Sequence, residues 1–476
     1  MPLLASHEFP IMRSRFFAGF LLAVALTFSP TARADDPKVI TKIAFGSCVD
    51  QDKPVPIFDT MAAAKPDLLL MIGDNMYADL DRKLKVTPDV IRDKYQQVAK
   101  LPGFIKLKAT CPMLGTWDDH DYGKNDAGAD WEHKDAAQKE FLDFFGVAKD
   151  DTRRKQKGIY HAENYGTPGK RVQVIMLDTR YFRSPLKKLP FDPKTRIAAY
   201  IPNTDPNATM LGADQWKWLE AQLKKPAEVR LLVSSVQVVS DEHPFEKWMT
   251  IPKEREKLYA LLNSTGANGV MILSGDRHLA DISVDTKSSG YPLYDITSSG
   301  FNQASKNWRA PEPNAKRVAA MPFGDNFGFI TIDWTGDDPR VGVQIRDEDG
   351  DATCGFKVRL STLKGTGPVV AVKLPDGVLS PADAAKKVGE TVKVQFVVQS
   401  VGGKANLYLN SQKSFMAKDN FAVVLPVKLQ AGMWAKAGAD TFVGKTVRAT
   451  GKIEVNKSGS VQLEIAEEKA LEIVKE

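Results

Sequence analysis

Between Val39 and about Leu360 the chain repeats one pattern: a short apolar run, a turn-forming residue, then an amphipathic stretch. No other feature confines the fold as tightly. Short buried strands alternating with helices require a sheet in the interior and helices outside it, which is an α/β domain. Residues 40–45, 67–72, 112–116, 172–177, 229–233 and 269–273 read as buried strands. Residues 56–64, 88–99, 135–145, 213–223 and 252–262 read as helices, several with proline near the first turn. Later segments, 327–334, 340–346 and 355–360, alternate with turn signals and look antiparallel, so a mixed sheet is expected.

Beyond residue 361 the texture changes. Residues 362–388 are rich in Gly, Pro, Lys and Ala and read as a linker with one short helix at 381–387. Five strand-like runs follow, at 392–398, 406–409, 421–425, 446–453 and 460–465, interrupted by a helix-like stretch at 429–437. This spacing predicts a small all-β, OB-like barrel over 389–476, behind an α/β domain over 35–361.

Residues 1–34 read as an export leader. Arg13 and Arg15 precede an apolar run at 16–28, and Ala32-Arg33-Ala34 supplies a small-x-small cleavage pattern. The run is shorter than the ~20 residues needed to span a bilayer, which disfavours a membrane anchor. Ser14 separates the two arginines, so a twin-arginine signal is the weaker reading beside general secretion. A periplasmic or secreted protein is expected, with no later membrane-spanning segment. The formal net charge of +6 includes three arginines against one glutamate in the leader, leaving +4. That is too little to argue for nucleic acid as a partner, although it mildly favours anionic substrates. Three cysteines are an odd number for an exported chain. Cys48 is placed for work other than pairing, and a Cys111–Cys354 bond stays open.

Sites in open α/β sheets gather beyond the carboxyl ends of strands. Here those ends carry Gly46-Ser47-Cys48, Gly73-Asp74-Asn75-Met76-Tyr77, Trp117-Asp118-Asp119-His120-Asp121, Asp178-Thr179-Arg180 and Gly275-Asp276-Arg277-His278. Singly, each has an ordinary reading: an aspartate after glycine caps a helix or forms a turn, a lone cysteine or tyrosine fills a core. Together they crowd carboxylates that repel unless cations offset them, which points to a multinuclear metal site.

In this order the motifs G-S-C, G-D-x-x-Y, W-D-D-H-D, L-D-T-R-Y, E-K-W with P-x-E-R, and G-D-x-H resemble the metallophosphoesterase superfamily. Within it they resemble the PhoD-like alkaline phosphatases and phosphodiesterases, over roughly residues 43–360. The resemblance implies an α/β/β/α sandwich with mixed sheets and a centre of ferric iron and calcium. Cys48, Asp74, Tyr77, Asp119, Asp276 and His278 would be its ligands, with Asp74 bridging. Asp119 takes the place of the superfamily's Asn, and Asp276 that of a histidine. At Ser235–Gln237 an expected metal histidine is missing, a departure that oxygen ligands or water would suit if the ion is calcium.

The implied activity is hydrolysis of phosphomonoesters, phosphodiesters or both by attack of metal-bound hydroxide. His120 would stabilise a phosphate oxygen or donate to the leaving group, or else only orient Asp119. Arg180 is the candidate phosphate clamp, with a structural role beside Asp178 as the alternative. Asn125 is a candidate metal or phosphate contact, and His243 and Trp248 are candidates for the substrate rim; turn and packing roles stand beside these. Two other functions stay open: a phospholipase- or polymer-directed phosphodiesterase, and a binding protein with a structural metal site. The OB-like module shows no catalytic constellation, and its ligand is left unassigned.

Overall fold

The computed structural model describes residues 38–474, except 82, 195–196, 308–310, 366–374, 376, 404, 413–419, 431–433, 435–438, 444 and 457–458. The expected leader therefore lies outside the described residues, as do most of the helix-like stretch at 429–437 and the middle of the linker. The chain runs β1 (Lys42–Gly46), α1 (Ile57–Ala63), β2 (Leu68–Ile72), α2 (Pro88–Ala99), α3 (Pro102–Thr110) and β3 (Met113–Thr116). Next come α4 (Asp119–Tyr122), α5 (Lys134–Phe144), β4 (His161–Tyr165), β5 (Val172–Met176) and a small hairpin, β6 (Lys187–Lys188) with β7 (Tyr200–Ile201). The alternating part ends with α6 (Gly212–Leu223), β8 (Val229–Val233), α7 (Pro252–Ser264) and β9 (Val270–Ser274). Then follow β10 (Ala280–Asp285), β11 (Leu293–Ser298), β12 (Arg317–Met321), β13 (Asn326–Asp333), β14 (Arg340–Asp347) and β15 (Ala352–Arg359).

These strands form two sheets. One has the order β15-β14-β13-β1-β2-β3, antiparallel up to β1 and parallel beyond it. The other has the order β12-β10-β11-β9-β8-β5-β4, parallel from β11 to β5 and antiparallel at both edges. The period-two alternation of strands explains how they stack. Ile43, Phe45, Leu68, Leu70 and Ile72 point into one core with the second sheet, while Ala44, Leu69 and Met71 point into another under α1, α2, α3 and α5. Residues of α6 and α7 (Leu219, Leu223, Leu258 and Leu262) cover the outer face of the second sheet. The result is the expected α/β/β/α sandwich with mixed sheets.

Strand β10 lies outside the expected set of buried strands: it alternates apolar and polar residues like a half-exposed strand, yet buries Asp281 and Ser283 as well. Asp281 is matched by the Arg317 guanidinium of β12, and Ser283 donates to it at 2.7 Å. The possibility of a Cys111–Cys354 bond is removed. All three cysteines are unpaired. Cys111 precedes β3 and Cys354 lies on β15, the opposite edges of one six-stranded sheet, about 20 Å or more apart at the usual strand spacing.

The carboxy-terminal strands are β16 (Val378–Leu379), β17 (Thr391–Val397), β18 (Ser400–Gly402), β19 (Leu407–Asn410), β20 (Ala422–Leu425), β21 (Thr446–Val455), β22 (Val461–Glu464) and β23 (Leu471–Ile473). They make one further sheet in the order β16-β17-β21-β22-β20-β19-β18, with β23 on β21, around a core of its own. Among the described residues this path has two open ends, so the module is all-β without a closed barrel.

One motif proves to be structural. Glu254, from P-x-E-R, is buried and accepts from Thr209 Oγ1 (2.8 Å), Met210 N (2.7 Å), Leu211 N (3.3 Å) and Trp216 Nε1 (2.7 Å). It ties the start of α6 to the first turn of α7. Glu254→Ala strands these four donors and is expected to cost at least about 4 kcal/mol in urea unfolding, at roughly 1–3 kcal/mol per unsatisfied group. Glu254→Gln should recover part of the loss.

Candidate metal centre

The carboxyl ends of both sheets converge. Ser47 bridges to Ser299, joining β1 of one sheet to the end of β11 in the other, and Thr116 Oγ1 donates to Leu177 O at 2.6 Å. At these ends the backbone leaves the strand abruptly. Cys48, Asp74, Asp276 and His278 all adopt left-handed φ values of 69°, 46°, 68° and 53°. Non-glycine residues rarely do so, and each such residue costs roughly 1–3 kcal/mol unless the surroundings impose it. Gly73 before Asp74 has φ 118°, and a Cβ there would lie 2.8 Å from that of Asp118.

Three overlapping sets of side chains come within ligand distance of one another: Cys48, Asp74 and His278; Asp74, Asp119 and His120; and Asp118, Asp119 and Asp276. Asp74 and Asp119 are shared. Tyr77 OH lies 2.8 Å from His278 Nε2 and 3.3 Å from Asp74 Oδ2, while Cys48 Sγ lies 3.4 Å from the same carboxylate oxygen. Ser299 Oγ touches Cys48 Sγ at 3.2 Å and accepts from His278 N at 2.8 Å.

Electrostatics follow from burial and crowding. Burial, then the Asp119 charge, pushes the Asp74 carboxyl well above its ordinary value. Burial also raises Asp118, against the pull of Arg180, and raises Asp276 to about 6. The Cys48 thiol and Tyr77 phenol are pushed up by burial and by their anionic neighbours. Asp119 goes the other way: burial raises it, but His120 and Arg180 outweigh this and hold it low. Asp118 Oδ2 and Asp119 Oδ1 are buried without a hydrogen-bond partner. Buried carboxylate oxygens left unbonded among mutually repelling acids are what cations would satisfy, with release of the retained protons. The donor set fits such a group.

His120 is clamped from behind. Its Nδ1 lies 2.5 Å from Asp79 Oδ1, and Asn125 N donates to Asp79 Oδ2 at 2.7 Å. Burial lowers the imidazole pKa, but Asp119, Asp74 and Asp79 together raise it to about 11. Asn125 itself is exposed, with its amide 2.5 Å from Asp126 Oδ2.

Arg180 departs from the expectation of a phosphate clamp. Its side chain is 0% exposed and lies between Asp118, to which its Nε donates at 2.7 Å, and Glu246, reached by its Nη1 at 2.7 Å. Nor does its guanidinium pair with Asp178, which accepts only the backbone N of Arg180. His243 and Trp248 are likewise not at a rim. His243 is buried against Gln237 Oε1 at 2.9 Å, with burial depressing its pKa to about 2, and Trp248 donates to Ser234 Oγ at 2.9 Å. The loop lacking a histidine instead ties strand ends of the second sheet to one another: Ser235 Oγ meets Thr179 Oγ1 at 2.5 Å, and Gln237 Nε2 donates to Thr297 Oγ1 at 2.8 Å. Sequence reasoning passed over Asp118, Asp79, Ser299 and Glu246. Asp118 and Glu246 carried a signal, as the first acid of W-D-D-H-D and the acid of E-K-W.

The sandwich and its acidic centre define a metallophosphoesterase-type protein. The family model of PhoD-like phosphatase matches residues 43–333, and the chain belongs to that family. Alkaline phosphatase D of Bacillus subtilis (strain 168) is 23% identical over 347 residues, covering 63% of this chain and 58% of that protein. The chain thus spans less than two thirds of this relative's length. A solved structure of PhoD matches with a TM-score of 0.52 at 17% identity, over 70% of this chain and 74% of that one, a likeness of fold.

The His120 clamp has a measurable sign. A histidine whose folded pKa is raised from 6.5 to about 11 adds stability below pH 6.5, and loses that contribution as pH rises through about 11. In metal-free protein, NMR titration of His120 should show a protonated ring throughout the neutral range. Asp79→Asn should bring its deprotonation to lower pH.

Proposed function

We propose that this chain is an exported, metal-dependent phosphoesterase acting on phosphomonoesters, phosphodiesters or both. One observation carries the reading: acidic, thiol and imidazole groups from four strand ends meet in three ligand sets that share Asp74 and Asp119. Family membership supports hydrolysis, and the name of the Bacillus relative supports phosphate esters as substrates. The export leader at 1–34 and the division into a 35–361 catalytic domain, a 362–388 linker and a 389–476 module belong to the same reading.

Cys48, Asp74, Tyr77 and His278 would hold a ferric ion, since thiolate and phenolate suit a trivalent Lewis acid. Asp74, Asp118, Asp119 and Asp276, all oxygen donors, would hold calcium. Bound there, such cations lower the pKa of a coordinated water and offset charge on phosphoryl oxygens. The chain's own groups do the rest. Asp79 fixes the His120 ring through Nδ1, which leaves Nε2 to donate a proton to the leaving oxygen. Arg180, anchored by Glu246, holds Asp118 in place rather than touching phosphate. Asn125, exposed beside this dyad, is the candidate rim contact.

Metal analysis of the purified protein, paired with turnover of p-nitrophenyl phosphate and bis(p-nitrophenyl) phosphate, tests this directly. Iron and calcium are expected, with activity lost in chelator and regained on their return. Full activity without metal overturns the proposal, while bound metal with neither ester turned over makes the site structural. Cys48→Ser is expected to abolish the visible thiolate-to-iron absorption; an unchanged spectrum removes Cys48 from the iron site.

A further inference from the structure

The carboxy-terminal module carries a built groove far from any acid cluster in sequence, and nothing in the candidate metal centre uses it. Pairing across β18, β19, β20 and β22 sets Ser400, Asn410, Ala422 and Gln462 in one row, and Gly402, Tyr408, Val424 and Glu464 in the next. Their neighbours Val401, Leu409, Val423 and Leu463 join the module's core, so these rows form the opposite face of the sheet. There a groove of about 340 Å³ opens, lined by Tyr408, Asn410, Asn420, Asn456, Ser460 and Gln462 around small residues at 402, 403 and 422.

Two features distinguish this face. The groove's described lining has amides, hydroxyls and one aromatic ring but no charged side chain; the charges of this face, Glu464 with Lys452 and Glu454 of β21, pair alongside it. Its polar groups are also held in place: Asn420 Nδ2 donates to Asn410 Oδ1 at 3.0 Å, Asn456 Nδ2 to Gln462 Oε1 at 3.4 Å, and Asn410, although facing away from the core, is only 2% exposed. Gly403 keeps the flank of Tyr408 clear. It has φ 102°, and a Cβ there would lie 2.9 Å from the tyrosine ring.

We propose that this groove binds an uncharged, polyhydroxylated chain, a neutral glycan. Each amide offers both a donor and an acceptor, the pairing that vicinal hydroxyls need. The half-buried Tyr408 ring offers an apolar face to the C–H side of a sugar ring while its hydroxyl stays wet. An open groove of this size suits one or two sugar units. A single strand of nucleic acid would instead call for cations along its backbone and several stacking rings. Lys404, Lys413, Lys418 and Lys457 border these residues in the chain but lie outside the described residues, so an anionic polymer is the rival that the test includes.

The full chain is titrated by calorimetry with maltoheptaose, cellohexaose, chitohexaose and an oligothymidylate, each at low and high salt. At least one neutral oligosaccharide should bind with little salt dependence. Tyr408→Ala should weaken that binding about tenfold, the scale of one ring contact, and Gln462→Ala should weaken it if Tyr408→Ala fails to fold. Turnover of p-nitrophenyl phosphate should be unchanged in both variants. Absence of binding by all three sugars overturns the proposal, as does salt-sensitive binding of the oligothymidylate alone, or sugar binding that survives both substitutions.

Discussion

Repulsion among buried carboxylates is the constraint on which the rest of this structure turns. Asp74, Asp118 and Asp119 are nearly or wholly withdrawn from water, Asp276 is largely so, and the four are close enough to share ligand sets. Such a group could not stay ionised alone. Arg180, Arg277 and His120 offset part of the charge: Arg180 against Asp118, Arg277 against Asp276 at 3.3 Å, and His120 against Asp119. What they leave is an array whose protons are tightly kept and whose oxygens are incompletely bonded, the condition under which multivalent cations replace protons.

Holding that array together falls to the two sheets. Their apolar faces interlock over a long core, and a stiff interior can sustain four left-handed, non-glycine residues at the strand ends. Each abrupt exit turns a side chain toward the gap between sheets instead of along the strand. The Ser47–Ser299 bridge ties the β1 exit to the end of β11, Val49 N donates to Asp74 O at 2.9 Å, and Gly275 N donates to Ser235 O at 2.8 Å beyond β8. Strain at these positions is the local cost of bringing ligands from separate strands to one place.

Much of the alternating domain was legible because its strands and helices obey simple periodicity. Val229–Val233 and Pro88–Ala99 match their expected bounds, and most other elements shift by a residue or two. Legibility fails where burial is polar. β10 alternates Ala280, Ile282 and Val284 with Asp281, Ser283 and Asp285, which reads as a half-exposed strand, yet Asp281 is buried against Arg317. Arg180 and His243 show the same difficulty for sites. A charged or titratable side chain after a strand reads as functional, yet both are enclosed by partners, Arg180 by Glu246 and Asp118 far away in the chain and His243 by the nearby Gln237.

By itself, then, the sequence determined the layered α/β architecture, the separate all-β module and the metal-capable residues at successive strand ends, since these depend on periodicity and local turn chemistry. Tertiary structure alone decided which of those groups meet. It brought Asp118 into the cluster, set Asp79 behind His120 and Ser299 beside Cys48, separated Cys111 from Cys354, and turned Arg180 inward. The reason is physical. Proximity between residues tens or hundreds of positions apart is set by sheet order and register, and no local pattern encodes the partner a buried charge will find.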